Sequence, residues 1–154
     1  MQTETLTREL VAAVASASAE ADPAWQELKP LGQQVVPFLA EAFPSAKTWR
    51  GRVALVFHCV GFARTSQAAF ELGLRALRDR SYMVRYRACG LLAYSLRNDA
   101  IPHLQPLLAH TDRRTVEDAT AAIAAIDSQN HHRFVDRSES GRSFWQVNPG
   151  DLPR

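Results

Sequence analysis

Only two cysteines, Cys59 and Cys89, occur in the 154 residues. That is too few for a disulfide framework, and each sits in an apolar helical pattern, where a free thiol acts as a small buried hydrophobe. Long apolar runs are missing as well. The longest uncharged apolar stretch in the middle of the chain, residues 53–63, is broken by His58 and falls short of the roughly 20 residues a bilayer requires. The opening segment MQTETLTREL has no basic stretch followed by an apolar one, so no secretory leader is expected. These absences predict a reducing, cytoplasmic location and no membrane partner. Also absent are a phosphate-cradling glycine loop, a Ser-His-Asp arrangement and a paired-carboxylate site. His58, Cys59 and Cys89 could converge between repeats, but neither cysteine belongs to a C-x-x-C pair. Core packing is the simpler reading, and no metal or cofactor is expected. Before residue 130 there is no convincing strand.

What is present is a globular composition, with 46% apolar and 22% charged residues, in a length suited to one domain, 1–154. The net charge of +2 conceals a segregation. Residues 1–46 sum to −4, residues 47–97 to +8 and residues 98–154 to −2. Nearly all of the central charge is arginine. Such a block attracts an acidic protein or nucleic acid, unless it is only the solvated side of ordinary helices.

Helical spacing dominates. In TLTRELVAAVASASAEA, Leu6, Leu10, Val14 and Ala17 share a face. Pro23 opens a short helix with Trp25 and Leu28. LGQQVVPFLAEAF, KTWRGRVALVFHCVGFAR, SQAAFELGLRALRD, YMVRYRACGLLAYSLR, DAIPHLQPLLAH and RRTVEDATAAIAAID follow, joined by short connections that favour antiparallel neighbours. The segments repeat. Trp49 aligns with Val84, Arg50 with Arg85 and Arg52 with Arg87 at an offset of 35, and Val84 aligns with Val116 at an offset of 32. Such a period is the mark of an α-solenoid.

LRDRSYMVRYRACGLLAYSL and AIPHLQPLLAHTDRRTVEDATAAIAAI resemble the HEAT-repeat family, with Asp79 or Asp112 in the turn and Val84-Arg85 or Val116-Glu117 starting the second helix. Pro106 is placed to kink its helix. The resemblance covers about 31–127 and is degenerate in the first repeat, where Trp49 replaces an aliphatic residue. It implies an all-α fold, an α-α superhelix with 1–30 as N-terminal capping helices and about three helix pairs over 31–127. It also implies binding of proteins or nucleic acids more than chemistry. In HEAT repeats the turn Asp and the Arg of the second helix form a ladder, a scaffold role that Asp79, Arg85 and Asp112 fit. Arg75, Arg78, Arg80 and Arg87 are left without such a duty.

The favoured partner-binding set is Trp49, Arg50, Arg52, Tyr82, Arg85, Tyr86 and Arg87, a guanidinium stripe with aromatic anchors facing an acidic protein surface. Nucleic acid is the alternative. Base excision in the manner of HEAT-like DNA glycosylases needs a groove-facing acid, and only Glu71 and Asp79 are near.

Residues 130–151 change character. HRFVD and SFWQV are rich in β-formers and flank RSESGR, so a β-hairpin cap is expected, with Phe134 and Phe144 or Trp145 against the last helix. On a strand, His131 and His132 would face opposite ways. Asp136 and Arg137 would then sit at an exposed recognition tip. A small HEAT-like domain followed by this segment is similar to small bacterial immunity proteins of polymorphic toxin systems. That resemblance implies a non-catalytic inhibitor of a toxin or enzyme.

Overall fold

YMVRYRACGLLAYS combines good helix formers with apolar residues on every side, the pattern of a helix surrounded by others. It forms α6 (Tyr82–Ser95), and from Ala88 to Ser95 every residue is buried. The computed structural model describes residues 2–151; Met1 and 152–154 lie outside the described residues, and so does the side chain of Gln2. Before α6 come α1 (Gln2–Ser16), α2 (Ala21–Leu28), α3 (Val36–Ala42), α4 (Trp49–Cys59) and α5 (Gln67–Ala76). After it come α7 (Ile101–Leu104) and α8 (Arg113–Asp127). Short 3-10 turns join several of them, and there is no strand among the described residues.

Helix starts are written in the sequence. Thr48 caps α4 by accepting from Gly51 N, Ser66 caps α5 from Ala69 N, and Asp112 caps α8 from Arg114 N. Ser81 precedes α6 without a side-chain cap; Asp79 accepts from Ser81 N instead. Pro102 sits in the first turn of α7, where a missing N–H is harmless. Pro106 removes the next donor, and the helix tightens into a 3-10 segment over Gln105–Ala109.

Consecutive helices pack as pairs, α3 on α4, α5 on α6 and α7 on α8, while α4 also meets α6, α6 meets α8 and α1 meets α4. Gly51 permits the α1–α4 crossing. A Cβ there would lie 1.9 Å from the Ala15 carbonyl oxygen. One continuous core runs from Val11 through Leu39, Leu55, Leu72, Leu91 and Leu104 to Ile126 and Phe134. Each fully buried aliphatic side chain contributes about 1.5–3 kcal/mol. Cys59 and Cys89 are part of it, and burial pushes the Cys59 thiol up to about 12 and raises that of Cys89 further.

The expected β-hairpin does not form. Asn130 caps a 3-10 turn over His131–Phe134, the chain loops back through residues 135–148, and a second 3-10 turn covers Pro149–Asp151. The polar groups that a hairpin would pair across its ladder are satisfied by side chains. The backbone N–H of Trp145 donates to His132 Nδ1 (2.9 Å), and its carbonyl accepts from His131 Nε2 (2.8 Å). The two rings, expected on opposite faces, lie 4.0 Å apart because a 3-10 turn brings neighbours together. Tyr94 donates to Asp151 (2.8 Å), and Asn148 Nδ2 donates to the Gly61 carbonyl (3.1 Å). Phe134 and Trp145 cover Gly90 of α6. The segment lies across α6 and α8 as an aromatic strap.

Candidate functional site: a basic groove beside an arginine ladder

Arg52 and Arg85 occupy corresponding positions in α4 and α6, and both are 7% exposed. Arg52 donates from Nε and Nη2 to Asp79 (2.7 and 3.2 Å) and from Nη1 to the Ala46 carbonyl (3.2 Å). Arg85 donates to Asp112 Oδ2 (3.2 Å), Thr115 Oγ1 (2.9 Å) and the Asp79 carbonyl (2.9 Å). In each case the acid lies 27 residues on and the carbonyl six residues back. The interval between Arg52 and Arg85 is 33 residues, not 35. Thus Asp79, Arg85 and Asp112 stand together in the ladder expected of them, and Arg52 joins it. Both side chains are buried and committed to these contacts, so the expected four-arginine stripe is interrupted at Arg52 and Arg85.

A further 33 residues on stands Asp118, also buried, with the charge reversed. Arg137 of the strap answers it at 2.9 Å and also donates to the Phe134 carbonyl (2.8 Å). Burial raises the Asp118 carboxyl above its ordinary value, against the pull of Arg137. Asp136 is buried rather than at a tip. It accepts from Ser140 N, Ser140 Oγ and Gly141 N, and these bonds, led by the Ser140 side chain, hold its carboxyl low. Asp136 therefore shapes the loop, and Arg137 clamps it.

Beside the first rung, two adjoining open cavities of about 640 and 510 Å³ share Lys47, Arg52 and Arg80. Arg78 lines the first, and Trp49 and Arg50 line the second. Asp79 is the one acid in either lining, and Arg52 engages both of its oxygens. Lys47, Arg78 and Arg80 are exposed and make no side-chain hydrogen bond or ion pair among the described residues. Arg50 lies 4.7 Å over the ring of Trp49, which is 40% exposed. Four cations thus converge on one groove without a carboxylate of their own. Guanidinium groups so placed match carboxylates or phosphates.

The remaining candidates lie along α6. Tyr82 is covered by Arg114 at 3.8 Å, and Tyr86 stands between Tyr82 and Phe134. Arg87 lies over Phe57 (4.9 Å) and Tyr86 (5.4 Å). Phe57, half exposed, was hidden in the sequence inside an apolar run. Lys47 was hidden because it precedes its helix. Arg78 and Arg80 were legible as arginines without a scaffold duty. Arg75, in contrast, donates to the Ala40 carbonyl and lies over Phe43. No cluster of three or more His, Cys, Asp or Glu suited to a metal occurs among the described residues, and no helix there is long and apolar enough to cross a membrane.

No family model, curated protein or solved structure matches the chain.

Proposed function

We propose that the protein is a non-catalytic, HEAT-like protein-binding module whose basic groove seats an acidic protein surface, acting as an inhibitor of a toxin or enzyme by covering its active-site face. The observation that carries this reading is the convergence of Lys47, Arg50, Arg78 and Arg80, none with an acidic partner, around exposed Trp49. An aromatic ring among unpaired cations is the composition of a binding hot spot. Asp79, the acid in the lining, is held by Arg52, which leaves no free carboxylate there for base excision.

The test is capture of a partner from the native cell on immobilised protein, followed by reconstitution from purified components. Arg78→Glu with Arg80→Glu is expected to abolish capture while leaving helicity intact, since both side chains are exposed. The partner's activity should fall on addition of the wild-type protein and not of the variant. Retention of the partner by the variant would sink the reading. So would tight binding of short DNA that weakens roughly hundredfold between 50 and 200 mM salt, the slope for four phosphate contacts.

A further inference from the structure

Arg87 is a half-buried guanidinium of the α4–α6 face that no acid answers among the described residues. Its Nε is buried and has no hydrogen-bond partner, and its terminal nitrogens make no hydrogen bond or ion pair among the described residues. Two rings, Phe57 and Tyr86, lie against the group at 4.9 and 5.4 Å. The terminal nitrogens are thus open donors for an incoming carboxylate, which a guanidinium matches with paired N–H groups. Beside it lies a cavity of about 40 Å³, lined by Val60, Tyr86, Arg87, Gly90, Val135 and Trp145 among others. That space admits a methyl-bearing branch. Phe57 at 50% and Val135 at 39% exposure rim the site with apolar surface. Phe57 stands two turns along α4 from Arg50, roughly 10 Å away at 1.5 Å per residue.

We infer that Arg87, Phe57 and Val135 form a second recognition site, which takes a partner carboxylate flanked by a branched aliphatic side chain. The carboxylate meets the terminal nitrogens of Arg87, and the aliphatic branch enters the cavity beside Val135. This rests on the reading of the chain as an acidic-protein binder and adds what the groove lacks, a requirement for an apolar neighbour. A nucleic acid backbone offers no aliphatic branch, so the site separates protein from phosphate polymers.

The experiment uses blocked pentapeptides, Gly-Glu-Leu-Gly-Ser against Gly-Gln-Leu-Gly-Ser and Gly-Glu-Ser-Gly-Ser, titrated into full-length 15N-labelled protein with the Arg87 Nε–Hε resonance observed. The Glu-Leu peptide should shift that resonance saturably, and each control should bind roughly tenfold more weakly, the worth of one charged hydrogen bond or one buried aliphatic group. Arg87→Gln and Phe57→Ser should each lose the same factor with an unchanged far-ultraviolet spectrum. Arg78→Glu with Arg80→Glu should leave this titration within about threefold. Equal binding of the Gln-Leu peptide, or an Arg87 signal unmoved by any peptide, overturns the inference. Partner capture that still depends on Arg78 and Arg80 would then leave the basic-groove reading standing.

Discussion

Removing Asp79 strands Arg52. Asp79→Ala deletes both oxygens that accept from Arg52 and leaves its guanidinium, 7% exposed, with one carbonyl contact at Ala46. It also removes the acceptor for Ser81 N at the start of α6. Leaving one charge of a buried pair without its partner costs about 3–5 kcal/mol. For a domain of this length, each kcal/mol lowers the melting temperature by about 2–4 °C, so a fall on the order of 10 °C is expected. The double variant Arg52→Met, Asp79→Ala should recover much of the loss, because an apolar side chain needs no counter-charge. Arg113→Ala breaks a solvent-exposed pair with Glu117 and should cost under about 1 kcal/mol. Urea unfolding followed by circular dichroism measures all three. A loss below about 1 kcal/mol for Asp79→Ala, or additive losses in the double variant, would refute the claim that the ladder holds the stack together.

Two further outcomes are expected. Gly51→Ala places a methyl group 1.9 Å from a backbone oxygen of α1, so overpacking of about 3 kcal/mol exceeds the gain of about 1 kcal/mol in helix propensity. A net loss of about 2 kcal/mol should appear in urea, and an unchanged midpoint would mean that the α1–α4 crossing is loose. His58 and His131 are both held neutral. Burial takes His58, stacked 3.7 Å from Trp25, from 6.5 to about 4, and burial likewise lowers His131. His131 accepts from Arg64 at Nδ1 and must therefore donate from Nε2 to the Trp145 carbonyl, so added protons find no acceptor. The unfolded chain binds those protons more readily, so the histidines' stability is complete above about 6.5 and is lost as pH falls towards 4. Asp136, lowered from 3.8, adds its own loss only below that window. Thermal melts by tryptophan fluorescence should show the decline, and it should flatten in a His58→Gln, His131→Gln variant. A flat wild-type profile between pH 7 and 4 would contradict the assignment.

The helices were legible because their apolar spacing, caps and prolines are local signals that the packing agrees with. The rungs Asp79, Arg85 and Asp112 were legible only through the resemblance to HEAT repeats, since partners 27 residues apart leave no local signal. The register was not. Arg-x-Arg occurs at 50/52 and again at 85/87, and matching letter to letter gives an offset of 35. Only one arginine of each pair turns inward, and it is the second in α4 but the first in α6. The inward pair, Arg52 and Arg85, sets the interval at 33. The strap misled for a different cause. Phe134 and Trp145 are β-formers by propensity, but here they fill the space over Gly90, and His131 and His132 bind the backbone that a neighbouring strand would have bound. Side-chain acceptors at such sequence separation leave no periodic trace.

Asp118 sets a direction on the stack. The first two rungs offer an arginine forward to an acid of the next turn, and the third offers an acid instead. A fourth helix pair built to the same pattern would bring carboxylate against carboxylate. Charge would oppose a further pair on that face, and splicing one in would call for exchanging Asp118 and Arg137 together.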